Sequence, residues 1–485
     1  MIAKRLVGHL PVNIAQALAG FGAVAAFTRL LSPEDYGRYA LVLVASQLLH
    51  TITLTWAEAG AFRFHAAAKA KADLPGHFAT LNMTILGAAA LGAALIIGLY
   101  FSLSFDPALA AGACLACGAS VLRFATRIAR ETDRASHQVA RYSIGETVYS
   151  LGGLGMGIAF SATTALGPGA PFLGLLLASA IMAIPDLRRL LQEAQGGRPT
   201  VQRIGAFAAY GMPLALALSL ELAVQAGARF SIFAALGDAA VGAYAAAFGL
   251  ARTIDLLFVW GGMAAAPLAL TAFEQQDRTA TLAIARGMAR TLYALTIPAF
   301  VGLALVAEPL AHAMVGPALA PVTAQLVPYL AASGLFAGFS TYYFSEAFQL
   351  TRRTGLRALV MLAPAAATIA LVGPLASSFG LVAAAIATAA ATALGTALLA
   401  IVGARLLPLP LALPDLARAA LAAAAMIPVV LALPALGGWP ELLLKAAAGA
   451  ATYGIAALAL DVAGSRTIVL GLWQRLAAKA ASRAG

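Results

Sequence analysis

The sequence predicts an all-α polytopic membrane protein of about fourteen transmembrane helices. Its expected plan is two six-helix lobes related by a pseudo-twofold axis along the membrane normal, plus two C-terminal helices. Three observations carry this reading. The 485 residues are 61% hydrophobic and only 11% charged, with a mean hydropathy of +0.88, whereas soluble chains carry roughly a quarter charged residues. Apolar windows of spanning length recur along the whole chain. The basic residues collect in alternate loops between those windows.

Taken in order, the first apolar windows lie at about 10–31, 37–58, 78–101, 108–128, 139–162 and 166–186. The stretch after Lys4 and Arg5 is longer than a signal-peptide core and has no convincing cleavage site, so it reads as an uncleaved first helix. A polar connector follows, with Arg188, Arg189, Gly196, Gly197, Arg198, Pro199 and Arg203. Six more windows lie at about 206–235, 239–271, 285–307, 319–347, 356–376 and 379–404. A last pair at about 414–434 and 440–462 precedes a basic tail with Arg466, Arg475, Lys479 and Arg483. The expected domains are therefore 1–203 (helices 1–6 and the connector), 204–404 (helices 7–12) and 405–485 (helices 13–14 and the tail).

Of the 31 Lys and Arg residues, 26 fall in the N-terminus, the even-numbered loops and the C-terminal tail; Arg29, Arg38, Arg229, Arg252 and Lys445 are the others. Lysine and arginine in short loops mark the cytoplasmic side, which puts both termini in the cytoplasm of a multi-pass inner-membrane protein and makes the helix count even. The same alternation accounts for the net charge of +11 without nucleic acid. The CxxC of Cys114 and Cys117 lies inside an Ala/Gly/Leu run, where it reads as helix-packing residues rather than a redox or metal site.

The chain repeats itself. Leu31-Ser-Pro-Glu-Asp-Tyr-Gly37-Arg-Tyr39-Ala40 and Leu236-Gly-Asp-Ala-Ala-Val-Gly242-Ala-Tyr244-Ala245 align at an offset of 205, with Leu, Gly, Tyr and Ala in register. Both segments join one helix to the next, helices 1–2 and 7–8. An even number of helices separates them, so the halves share one orientation, an arrangement that puts a substrate cavity between them.

The run Thr28-Arg29-Leu30-Leu31-Ser32-Pro33-Glu34-Asp35-Tyr36-Gly37-Arg38-Tyr39-Ala40-Leu41 resembles the first hairpin of polysaccharide biosynthesis flippases, within the multidrug/oligosaccharidyl-lipid/polysaccharide exporter superfamily. Tyr210-Gly211-Met212-Pro213-Leu214 and Val241-Gly242-Ala243-Tyr244 resemble that family's second half. The resemblance implies a V-shaped twelve-helix core that works by alternating access on an undecaprenyl-diphosphate-linked oligosaccharide. It would carry this substrate from the cytoplasmic to the periplasmic leaflet for cell-surface polysaccharide such as lipopolysaccharide or exopolysaccharide. Membrane lipid, a polysaccharide polymerase and glycosyltransferases are the partners so implied; no cofactor is. The chain departs from the family's commoner members in its high alanine and low lysine content.

Ionisable groups at helix centres cost roughly 2.5–3.5 kcal/mol on insertion scales, so those retained point to a site. Glu221, Gln225 and Arg229 recur at helical spacing in helix 7, and Arg252 and Asp255 form a possible ion pair in helix 8. The repeat offset maps the latter two onto Gln47 and His50 of helix 2. Asn13 and Gln16 of helix 1 add hydrogen-bonding groups, and Arg29 adds a charge near its outer end. As substrate-binding residues the arginines would hold a diphosphate, because guanidinium binds phosphate oxygens bidentately and keeps its charge when partly desolvated. Structural readings stand beside this: satisfied ion pairs within the bundle, arginines reaching the interface, and a Glu146 paired with Arg141. Pro213, Pro267, Pro298 and Pro364 mark positions where a helix can kink.

Two other functions are weighed. A multidrug exporter of the same superfamily usually stops at twelve helices and binds cations, which fits the arginines poorly. A membrane glycan polymerase or acyltransferase needs large outer loops or paired catalytic groups; the loops here are short and the six histidines form no HxxxH-like cluster, so no catalytic residue is assigned. The topology is open to test. A reporter fused after Gly197 is expected to show cytoplasmic activity only; periplasmic activity there overturns the orientation and the two-lobe plan together.

Overall fold

The structure, a computed structural model, describes residues 2–102, 107–262 and 265–467, and every regular element among them is helical. In chain order the helices are α1 (Ile2–Leu30), α2 (Pro33–Thr53), α3 (Thr55–Ala70), α4 (Leu74–Ser102), α5 (Pro107–Ala135), α6 (Val139–Thr163), α7 (Ala170–Glu193) and α8 (Val201–Leu236). Then come α9 (Asp238–Ala251), α10 (Thr253–Gly262), α11 (Ala265–Glu274), α12 (Arg278–Leu305), α13 (Ala307–Met314), α14 (Ala320–Phe339) and α15 (Ser345–Leu350). The last are α16 (Thr354–Leu406), α17 (Leu413–Ala424), α18 (Met426–Leu431) and α19 (Gly438–Leu460). Of the basic tail, Arg475, Lys479 and Arg483 lie outside the described residues.

Eleven spans are long and apolar enough to cross a membrane, and α2 with α3, bent by 47°, makes a twelfth. The 25-residue α6 is long enough to cross a membrane but less apolar than these, carrying several glycines, Arg141 and Glu146. The 53-residue α16 is two helices joined at Gly380, whose φ of 82° no helix accommodates. With α6 and the two halves of α16 added, the described helices are roughly consistent with the expected fourteen. The window 37–58 bends after Thr53 and continues to Ala70, whereas α9 and α10 meet at Arg252 within one span, Asp238–Val259.

By packing, the chain forms two compact units. The first comprises residues up to Ala246 with Val315–Leu319 and Thr368–Leu381; the second comprises Ala247–Met314, Ala320–Ala367 and the chain from Val382. The repeat placed a boundary at 203/204, but α8 packs along α2 and α3 and so clusters with the first unit.

Inside the first unit the two repeat segments meet. Ser32 caps α2 by accepting from the Asp35 amide at 3.1 Å, with Pro33 opening the helix and Glu34 and Asp35 in its first turn. A Cβ on Gly37 would sit 2.7 Å from the Asp238 carbonyl carbon, and one on Gly242 would sit 2.7 Å from the Pro33 oxygen. The glycines conserved in register between the repeats are thus where their backbones touch. Arg38 Nε donates to Asp238 Oδ2 at 3.0 Å across the same junction.

Lipid removes most of the hydrophobic drive for helix association, so close packing of small residues takes over. A Cβ on Gly174 of α7 would lie 2.6 Å from Gly157 Cα of α6. Around Ala57, Ala61, Ala125 and Ala129, the larger Phe78, Phe124, Ile128, Leu190 and Phe207 fill the core between α3, α4, α5, α7 and α8. At the end of this unit where the connector lies, Arg130 is buried and ion-paired with Asp133 and Asp186, and Arg189 also pairs with Asp133, joining α5 to α7. The Asp73 carboxyl, in the turn before α4, is held below the usual carboxylate range chiefly by its hydrogen bond from Arg203.

The second unit has its own anchors. Phe258 packs edge-on to Phe339 and stacks on Tyr342, while Ala347, Phe348 and Leu399 form a separate core. Tyr293 donates to the Leu411 carbonyl at 2.8 Å, Tyr343 donates to that of Pro410 at 2.5 Å, and Arg290 Nε lies 3.0 Å from Asp415 Oδ1, tying the start of α17 to α12.

The glycine contacts give a direct test of the packing. Gly174→Val has no room against α6 and is expected to destabilise by about 1–3 kcal/mol, read as a lowered thermal midpoint of the purified protein in detergent. Gly155→Val points into open space and is expected to be near neutral. Equal midpoints for the two variants would rule out the close α6–α7 approach.

Candidate functional site

α5 carries Arg123 and Arg127 one helical turn apart, on one face. Arg123 lies sixteen residues after Pro107, so at ~1.5 Å per residue it stands roughly 24 Å along the helix and well inside its length. Both arginines lie at the end of the 108–128 window, and the charge pattern groups them with the loop between helices 4 and 5. The structure instead continues α5 to Ala135.

Both side chains line a cavity of about 390 Å³ in the first unit. α2 contributes Gln47 and His50 to its wall, α6 contributes Tyr149, and α7 and α8 contribute the apolar Phe172, Leu175 and Leu222. A second, mostly apolar cavity of about 200 Å³, bordered by Gln16, Phe27 and Tyr39, shares Tyr149 and Leu175 with the first.

Each arginine has a carboxylate behind it. Arg123 Nη2 donates to Glu146 Oε2 at 2.7 Å, and its guanidinium stacks 3.7 Å over the Tyr149 ring. Arg127 Nε lies 2.9 Å from Glu58 Oε2, and His50 Nε2 lies 2.8 Å from Glu58 Oε1. Glu58 and Glu146 are buried, at 3% and 5% exposure, and neither lines the cavity. The wall therefore presents guanidinium, imidazole, amide and phenol, while the balancing negative charge is set back. Chemically, such a wall suits an anion better than a cation, and each arginine's existing partner would moderate the affinity.

The candidates named from sequence fall into three groups. Gln47 and His50 line the cationic cavity, and Gln16 the apolar one. Asn13 lies on α1 one turn before Gln16 and is half-buried, as are Glu221, Gln225 and Arg229 on α8; of that helix, Leu222 reaches the cavity wall. Arg229 is close enough to act electrostatically on Tyr36 and Tyr39. Arg29 is exposed at the end of α1, where Nη1 donates to the Ala25 carbonyl at 2.7 Å. Arg252 and Asp255 do pair, at 3.0 Å, but in the second unit, with Arg252 in the break between α9 and α10 and its side chain 60% exposed.

Arg123, Arg127, Glu58, Glu146 and Tyr149 were not singled out as binding residues. The i, i+4 spacing of the arginines directly after an apolar run was the signal available. Glu146 pairs with Arg123 across helices and not with Arg141, whose guanidinium lies 3.7 Å from Asp133.

No protein-family model and no curated protein matches the sequence. The fold, in contrast, is shared with solved transporters. It is similar to the lipid II flippase MurJ in an inward closed conformation, with a TM-score of 0.73 and 14% identity over 96% of this chain and 100% of that one. It is also similar to a multidrug resistance MATE family transporter of the MOP superfamily. In the inward-facing conformation the TM-score is 0.65, with 12% identity over 81% of this chain and 93% of that one. For an outward-facing structure it is 0.56, with 14% identity over 82% and 92%. The chain thus shares its fold with these solved structures, as its sequence motifs lead one to expect.

Proposed function

We propose that the protein is a flippase that moves a polyprenyl-diphosphate-linked oligosaccharide from the cytoplasmic to the periplasmic leaflet by alternating access, for cell-surface polysaccharide. The observation that carries this reading is the polarity of the cavity: Arg123 and Arg127 reach its wall and their carboxylate partners do not. In this reading the two guanidiniums hold the diphosphate, and Gln47, His50 and Tyr149 donate hydrogen bonds to phosphate or sugar oxygens. The neighbouring apolar cavity offers Phe27, Tyr39 and Tyr149 to the apolar parts of the substrate. Glycosyltransferases that build the substrate and a polymerase that consumes it are the partners such a function requires. The inner membrane with both termini cytoplasmic is its location.

Energetics favour a moderate affinity. A diphosphate carries about two negative charges toward the positive side of the membrane, and at ~2.3 kcal/mol per charge per 100 mV the potential contributes about 4–5 kcal/mol. The site has only to release its anion outward. Pre-paired arginines suit that, since Glu58 and Glu146 reclaim their partners when the substrate leaves.

A second reading, export of cationic drugs, is favoured by the likeness to MATE transporters and by the two buried carboxylates. Both carboxylates are already ion-paired behind the wall, which leaves a cation little to bind. Transport without bond change separates these readings from a polymerase or acyltransferase. In proteoliposomes the lipid-linked saccharide is expected to reach the opposite leaflet with its mass unchanged; a new covalent product made by the pure protein overturns the transporter assignment.

Site variants test the anion contacts. Losing a charge-assisted hydrogen bond is expected to lower flipping by roughly 10–100-fold in Arg123→Ala and in Arg127→Ala, with partial retention in the lysine variants. Because Arg123→Ala leaves Glu146 buried without its partner, the double variant Arg123→Ala/Glu146→Gln separates lost binding from lost stability. Wild-type flipping in the well-expressed double variant, with flipping lost in Arg252→Ala, would move the anion site to the Arg252–Asp255 pair.

A further inference from the structure

Glu58 holds two cavity groups at once. Its Oε1 faces His50 Nε2 at 2.8 Å and its Oε2 faces Arg127 Nε at 2.9 Å, while the carboxylate itself is 3% exposed. One partner is a permanent cation and the other a ring that takes up a proton near neutral pH in ordinary surroundings. His50 also borders a small apolar cleft formed with Ala88, Leu91 and Leu95 of α4. α5 brings Arg123, which acts on Glu58 and is paired with Glu146 of α6, and Glu131, which is bonded to Arg134. α7 and α8 present Phe172, Leu175 and Leu222 to the cavity.

We propose that arrival of the diphosphate at Arg127 draws one proton onto the His50–Glu58 pair, so that anion and proton bind together. This rests on the diphosphate reading above and adds a co-ligand to it. Arg127 uses Nε toward Glu58 and lines the cavity, so an anion there competes with Glu58 for the same guanidinium. The anion's own charge adds to the negative potential at Glu58. Both changes leave a buried carboxylate with less compensation, and an unpaired buried charge is costly. The group placed to relieve it is His50, already within hydrogen-bond distance: a proton on the pair turns a net-negative contact into a charge-balanced one.

The sign follows from linkage. The anion-bound state holds more protons than the free state, so affinity rises as pH falls through the titration of the pair and levels off once the free protein is protonated as well. With one proton the slope does not exceed about tenfold in Kd per pH unit. A histidine without such coupling gives a flat profile.

The test uses the full-length protein in detergent and a citronellyl diphosphate N-acetylglucosamine probe, a diphosphate diester whose charge is constant from about pH 5 to 8, the range of histidine titration. Calorimetry in two buffers of different ionisation enthalpy gives Kd and proton uptake together. The expected result is tightening by up to about tenfold per pH unit with uptake of up to about one proton. In His50→Gln and in Glu58→Gln both the slope and the uptake are expected to vanish; binding in His50→Gln is weaker through the lost hydrogen bond but still measurable, held by Arg123 and Arg127. A flat profile without uptake in the wild type overturns the proposal and leaves the diphosphate site standing, as does undiminished uptake in both variants. No binding of the probe at any pH overturns the diphosphate reading and this inference with it.

Discussion

In a bilayer no water reaches the helix interiors, so a charged side chain there must find its partner within the protein. The Arg123–Glu146 and Arg127–Glu58 pairs answer that demand, and much of the first unit is arranged around them. α5 has to present one face to α6 and α3, where the carboxylates stand, and the bend between α2 and α3 brings His50 and Glu58 together from two sides of Leu54. Glycine and alanine at the contacts let the helix axes come close enough for these side chains to meet. The same demand produces the Arg130, Asp133, Asp186 and Arg189 network at the connector end, which joins α5 to α7 and contributes no wall to the cavity.

Pairing of this kind also sets the chemistry of the site. A bare arginine pair in a low-dielectric cavity would hold a diphosphate too firmly to release it, and would be costly to keep empty. Arginines whose carboxylates stand outside the cavity can be shared with an incoming anion and recovered afterwards. The pairing that makes the charges tolerable in lipid is thus also what would let the proposed site release its anion, with His50 standing on the other oxygen of Glu58.

The repeat has a physical meaning as well. Gly37 and Gly242 align in the sequence and meet in the structure, where neither tolerates a Cβ, and the Arg38–Asp238 ion pair lies across the same junction. Their contact belongs to the first unit, together with α8, although α8 begins the second sequence repeat. Units of packing and units of repetition differ here because a helix packs with whatever neighbour its small residues fit: Gly60 meets Phe207, and Gly211 meets Trp56.

The sequence by itself determined the solvent, the approximate number of spans and the places, near Ser32-Pro33, Gly237 and Gly380, where one helix gives way to the next, because hydropathy and backbone stereochemistry are local properties. It also determined that Gln47, His50 and Gln16 are polar groups in apolar runs, which the cavities then use. It could not determine which charges meet. Arg123 and Arg127 stood at the ragged end of an apolar window and read as loop residues, and Glu58 marked the end of another. Arg252 read as deep in a helix, and nothing local told that its side chain would be largely exposed there. Only the tertiary structure decided these points, since an ion pair between helices depends on helix rotation and bend, and those are set by side chains far apart in the chain.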